Sequence, residues 1–255
     1  MSNTCRFRFY EELNDFLPSR KRKQQFEYGF SGKPSIKDAI EAIGVPHTEI
    51  DLIIVDGASV GFDYRLRNND VVSVYPMFEA LDITPLLHLR EAPLREPKFI
   101  CDVHLGTLAR LLRLAGFDTL YRNDYGDELI VEIALAENRC ILTRDRGILK
   151  RKAVTHGYCL RSTDPEQQIR EVLGRFDLYS SMKPFTLCIE CGGAISRVDK
   201  ASVASALPEK TRECYDEFFQ CGRCGKVFWQ GSHFPNLQKT INALMRDRGP
   251  GNVPP

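Results

Sequence analysis

Two cysteine pairs in the last third of the chain, Cys188-Ile-Glu-Cys191-Gly192 and Cys221-Gly-Arg-Cys224-Gly225, constrain its fold more than any other feature. Two residues between cysteines let one tight turn present both sulfurs to the same ion, and four thiolates complete the tetrahedron of structural Zn²⁺. The glycine after each pair tolerates positive φ, so the backbone can curl its N–H groups toward the thiolates and spread their charge. A redox dithiol would need only one pair. Cys214 and His233 lie near the second pair but are surplus to a filled tetrahedron. A closed four-thiolate site does no chemistry itself, so any activity must come from elsewhere in the chain.

A chain of 255 residues has room for at least two domains. Its opening, MSNTCRFRFYEELNDF, contains no apolar stretch of signal-peptide length, and no run approaches the roughly 18 apolar residues of a membrane span. The expected setting is therefore cytoplasmic, with no membrane contact. Nine cysteines without a secretion signal point to reduced thiols and metal ligation rather than disulfides. Cys5, Cys101, Cys140 and Cys159 stand in apolar strand contexts and read as small buried residues. Lys+Arg 35 against Asp+Glu 34 leave a net charge of +1, so a nucleic-acid partner has to be sought in local charge.

The first eighty residues read strand, strand, helix, strand, strand. Cys5–Phe9 and Gln25–Phe30 carry strand patterns, and Ser35 offers a cap before Ile36, Ala39, Ile40 and Ile43 at helical spacing. Gly44-Val-Pro46 stops that helix, and Leu52–Val55 and Val71–Tyr75 follow as strands. This order, with its late NNDVVSVYP strand, resembles the ubiquitin-like β-grasp proteins of the sulfur-carrier type. The carriers end in Gly-Gly, whereas here the strand runs into Pro76-Met-Phe-Glu79, which argues against a sulfur-transfer role. The run Ser19-Arg-Lys-Arg-Lys23 falls in the expected hairpin loop, where four cations suit phosphate contacts or simple solvation.

Residues 80–97, with Pro85, Pro93 and Pro97, read as a linker. Beyond it the pattern alternates: strand Lys98–Val103, helix through Leu105, Leu108, Ala109, Leu112 and Ala115 to Gly116, strand Thr119–Tyr121, helix Leu129–Ala136, strand Cys140–Thr143, strand Ala153–Leu160, helix Pro165–Leu173. Alternation of this kind implies a parallel sheet with right-handed crossovers. The Gly/Pro-rich segment 246–255 reads as a disordered tail.

Asp102 ends the first strand of that unit, Asp145 follows the third, and Asp127 opens the helix after the second. The carboxyl edge of a parallel sheet bounds its ligand crevice, so three acids are directed to one edge. Carboxylates brought together repel, and a hard divalent ion such as Mg²⁺ or Mn²⁺ relieves that while keeping waters for phosphodiester hydrolysis. Each acid has a plainer reading as a helix cap; Asp124 competes with Asp127, and Asp164 reads as the cap of the last helix. Arg110 and Arg113, three apart on one helix, and Arg144 beside Asp145 offer guanidinium forks for an RNA backbone, or simply a solvated face.

The strings KFICDVHLGTLARLLRLAGFDTLYRND, DELI and ILTRDRGILKR, followed by the two cysteine pairs, resemble the Mut-seven C-terminal RNase family, PIN-like nucleases with an appended zinc ribbon. The resemblance covers about Lys98 to Leu244, and the β-grasp segment resembles the ubiquitin-like domain often joined to it. It implies a multidomain α+β and α/β chain: a ubiquitin-like β-grasp domain over 1–79, a linker over 80–97, a PIN-like parallel α/β sheet over 98–180, a zinc ribbon over 181–245 and a tail over 246–255. It also implies a metal-dependent RNase with Asp102, Asp127 and Asp145 as the Mg²⁺ or Mn²⁺ site. A non-catalytic RNA- or ribosome-binding module, with the acids as caps, is the alternative.

Overall fold

The computed structural model describes residues 3–76 and 97–247. The expected linker lies outside them except for Pro97, and the expected tail except for Arg246 and Asp247. Two compact units separate: the described part of Met1–Glu96 with Thr143–Cys159, and Pro97–Leu142 with the described part of Leu160–Pro255.

In the first unit β1 (Asn3–Phe9), β2 (Phe26–Phe30), α1 (Ile36–Ile43), β3 (Ile50–Val55), β4 (Ala58–Ser59) and β5 (Val71–Pro76) build a five-stranded sheet of order β2-β1-β5-β3-β4. β1 is antiparallel to β2 but parallel to β5, the mixed pairing of a β-grasp. Strict alternation in β1 buries Cys5, Phe7 and Phe9 and exposes Arg6 and Arg8. Ile36, Ala39 and Ile40 of α1 are buried as well, at the helical spacing of a core-facing stripe. Ser35 caps α1, its side chain accepting the Asp38 N–H at 3.1 Å, and Gly44 ends it at φ 123°, a conformation β-carbons resist.

The next elements are β6 (Lys98–Cys101), α2 (Gly106–Leu114), β7 (Thr119–Leu120), α3 (Asp127–Glu137), β8 (Arg139–Thr143), α4 (Arg146–Leu149), β9 (Gly157–Cys159) and α5 (Pro165–Arg175). The sheet order is β7-β6-β8-β9, with β6 parallel to both β7 and β8. Phe99, Ile100, Cys101, Cys140, Ile141 and Leu142 are all buried, the continuous apolar run of strands covered on both faces. Gly116 closes α2 at φ 96°, and a side chain there would overlap the Lys183 carbonyl.

A smaller antiparallel sheet follows, β10 (Ile195–Val198), β11 (Phe218–Cys221) and β12 (Val227–Phe228), with α6 (Lys200–Val203) and α7 (Glu209–Cys214) between its first two strands. Its own core is only Val203, Leu207 and Phe218, flanked by Val198, Tyr215, Val227 and Trp229. So few apolar groups make a marginal fold without a cross-link. α8 (Phe234–Arg246) follows, Phe234 packing on Phe185 with ring centroids 5.0 Å apart. Asp247 pairs with Arg170 of α5 at 2.9 Å. No described helix is long and apolar enough to cross a membrane.

Candidate functional site

The two cysteine pairs form matching turns. The Gly192 N–H donates to the Cys188 carbonyl at 2.8 Å and the Gly225 N–H to the Cys221 carbonyl at 3.0 Å. Both glycines sit in the left-handed region, at φ 74° and 72°. The turns bring Sγ of Cys188 to 3.8 Å from that of Cys224, and Sγ of Cys191 to 3.4 Å from that of Cys221, with all four sulfurs within 4.8 Å of one another. Among the described residues this is the one group of three or more His, Cys, Asp or Glu whose ligand atoms converge so closely. Cys214 and His233 stay outside it. Burial, followed by interactions with neighbouring thiols, lifts Cys191 to about 12 despite the Gly193 N–H. At Cys221 burial is outweighed by the Cys224 and Arg223 N–H groups and the adjacent thiols, which bring it down to about 7. Thiolates crowded to this degree repel one another, and a bound cation would compensate them.

α2 holds the first of these turns, which sequence reasoning missed. Arg113 is only 3 % exposed, and its guanidinium donates to the carbonyls of Thr119 at 2.8 Å, Ile189 at 3.2 Å and Glu190 at 2.6 Å. Burial lowers its pKa, with the nearby thiols acting in the opposite sense. Nε and Nη1 of Arg113, a residue expected to meet an RNA phosphate, thus donate to the backbone of β7 and of the cysteine turn. Arg110, one turn earlier and exposed, reaches the same turn through Glu190 at 3.0 Å, and Lys226 from beyond the second pair joins that carboxylate at 3.0 Å. A hydrogen bond from Lys226, together with Arg110, draws Glu190 below the usual carboxylate range.

The acids occupy distinct settings. Asp102 leaves β6 almost buried, at 9 % exposure; its N–H donates to the Leu142 carbonyl at 3.0 Å and its own carbonyl accepts the Leu105 N–H at 2.9 Å. Tyr121 braces this turn, donating its hydroxyl to the Val103 carbonyl at 3.0 Å and lying over Gly106, where an added β-carbon would come within 2.7 Å of that hydroxyl. Asp127 is the first residue of α3, whose cap position is Gly126, so it is not the cap. Asp145 does cap α4, its Oδ1 accepting the Gly147 N–H at 2.7 Å, while its own N–H donates to Thr143 Oγ1 at 2.8 Å. Asp164 caps α5 through the Gln167 N–H at 3.0 Å. Asp124 is paired with Arg122 at 2.7 Å, and that hydrogen bond holds its carboxyl below the ordinary value. Arg144 is exposed. The carboxylates of Asp102, Asp127 and Asp145 are not among the groups that converge within 4.8 Å.

Two family models match the chain. One is the Mut7-C RNAse domain over residues 97–241, and the other is the Mut7-C ubiquitin over residues 2–82. No match to a curated protein or to a solved structure was found.

Proposed function

Because the chain belongs to the Mut7-C RNase family, we propose that it hydrolyses RNA phosphodiester bonds at an acidic site holding Mg²⁺ or Mn²⁺, beside a structural zinc centre. The observation that carries the reading is the pairing of β6 with β8. Parallel register sets Cys101 beside Leu142, so Asp102 leaves the carboxyl edge of the sheet next to the strand that leads to Asp145. Asp127, at the amino end of α3, is the third ligand of the proposal.

A hard divalent ion bound by these oxygens would supply an activated water and neutralise charge at phosphorus. Asp102, Asp127 and Asp145 would hold that ion, and Arg144 and Arg110 would meet the phosphates of the substrate. For the four thiols the donor set fits zinc: a Zn–S bond of about 2.3 Å makes the edge of a tetrahedron about 3.8 Å. The observed sulfur separations of 3.8 and 3.4 Å lie at that scale. Zinc held by Cys188, Cys191, Cys221 and Cys224 would tie the end of β11 to the turn that precedes β10, and the ribbon so stabilised assists RNA binding. Reduced thiols suit a cytoplasmic setting.

Labelled single-stranded and structured RNAs incubated with Mg²⁺ or Mn²⁺ test the reading: cleavage is expected, abolished by chelation and by Asp102→Asn with the fold intact. A second reading, a non-catalytic RNA- or ribosome-binding module, is favoured by one observation, the use of Asp145 as the cap of α4. RNA retention without cleavage in any metal would establish it.

A further inference from the structure

The unit that contains the ubiquitin-like fold also contains Thr143–Cys159, a stretch from the RNase domain. Besides the buried apolar side chains of Ile148, Leu149 and Val154 in this stretch, two buried polar groups of the ubiquitin-like fold bond to it. Glu49, in the turn between α1 and β3, is 0 % exposed, and its Oε1 accepts the Cys159 N–H of β9 at 2.6 Å. His47, two residues earlier and 6 % exposed, faces the Val154 carbonyl with Nε2 at 2.7 Å and Glu41 Oε1 with Nδ1 at 2.6 Å. A carbonyl only accepts, so Nε2 carries a hydrogen toward Val154. Lys150 donates its ammonium to the Glu41 carbonyl at 2.8 Å. Arg146 lays its guanidinium over the Phe16 ring at 4.9 Å.

Four positions of the stretch, Arg146, Lys150, Val154 and Cys159, are thus held by Phe16, Glu41, His47 and Glu49 of the ubiquitin-like fold. An apolar contact would serve adhesion as well and would tolerate sliding by a residue. A buried carboxylate is costly to desolvate unless a donor meets it, so a shift of the Cys159 N–H away from Glu49 is penalised and one register is selected. Asp145 is the residue before Arg146, at the head of this gripped stretch.

We propose that the ubiquitin-like unit takes the chain's own Thr143–Cys159 stretch as its partner, and that Glu49 and His47 are positioning residues that set the loop carrying Asp145. The Asp145 half of this inference rests on the proposed hydrolase reading; the clamp itself does not. The clamp gives a ubiquitin-like fold without a diglycine tail a task that needs no activation chemistry.

Hydrogen exchange measured by mass spectrometry on the full chain tests the clamp, and RNA cleavage with Mg²⁺ or Mn²⁺ tests the positioning. Glu49→Ala is expected to speed exchange about tenfold or more in peptides from 144–159 while β6, α2 and the cysteine turns keep their protection. It should also lower kcat by about tenfold or more, with KM nearly unchanged, because a misplaced ligand weakens the reacting geometry rather than substrate binding. Glu49→Gln keeps an acceptor for the Cys159 N–H and should restore most of both. If Glu49→Ala loses protection everywhere, His47→Gln supplies the same comparison. Unchanged exchange over 144–159 in Glu49→Ala and His47→Gln overturns the clamp. Faster exchange there with full cleavage overturns the positioning role. A wild-type chain that cleaves no RNA overturns the hydrolase reading, and the exchange comparison still decides the clamp.

Discussion

Arg113 shows how little spacing alone says of a side chain's surroundings. It stands three residues after Arg110 on α2, as a solvated or phosphate-binding pair would, yet the two separate completely: one is buried on three carbonyls and the other pairs with Glu190 at the surface. Arg113→Met keeps volume but leaves those carbonyls without their donor, and we expect a cost of about 3 kcal/mol. In a unit of this size that lowers the thermal midpoint by roughly 5–10 °C, measurable by differential scanning fluorimetry. Arg113→Lys cannot fork to three acceptors and should fall between. At Asp145 the cap and the proposed ligand roles can be parted. Asn caps helices as well as Asp, so Asp145→Asn should keep stability within about 0.5 kcal/mol while cutting RNA cleavage by about a hundredfold or more. Asp145→Ala should lose both. Equal cleavage by wild type and Asp145→Asn would remove Asp145 from the site.

At the scale of elements the two cysteine turns look interchangeable but are seated differently. An added β-carbon at Gly225 meets nothing within 4 Å, whereas at Gly192 it would lie 3.3 Å from Arg113 Nε and 3.4 Å from the Thr119 carbonyl. Gly225→Ala should therefore cost only the left-handed conformation, about 1 kcal/mol, and Gly192→Ala clearly more, as read from metal-release midpoints. With so small a core under β10–β12, we expect one zinc per chain and loss of exchange protection from residues 186–229 on chelation, while β6 and β8 stay protected. Elemental analysis near zero metal in a folded, chelator-free sample would refute the zinc assignment. The pH sense follows from the ligands: thiolates bind zinc and thiols do not, so acidification displaces the metal and stability conferred by it is present at neutral pH and lost as pH falls.

For the whole molecule, a net charge of +1 hides local segregation. The loop Ser19–Lys23 carries four cations, of which Arg22 donates to the Leu17 carbonyl at 2.8 Å and Lys21 lies over Phe26 at 4.6 Å, leaving Arg20 and Lys23 the more available pair. Replacing all four by Ser is expected to flatten the salt dependence of RNA affinity by about two phosphate contacts. An unchanged slope would mean the loop is only solvated. By itself the sequence determined the parts: alternation in β1, the Ser35 cap, the β-α-β-α-β order ending in β8, and the four cysteines. Each is written in neighbours within a few residues, where side-chain period, caps and turn chemistry act. Tertiary structure alone decided the rest. That Arg113 serves a turn 76 residues away, that Tyr121 braces the turn after Asp102, and that Glu49 and His47 hold a stretch more than 100 residues further on are long-range pairings between polar groups. Polar side chains look alike in sequence whether they face water or a buried carbonyl, and only the closed fold chooses between the two by removing the water.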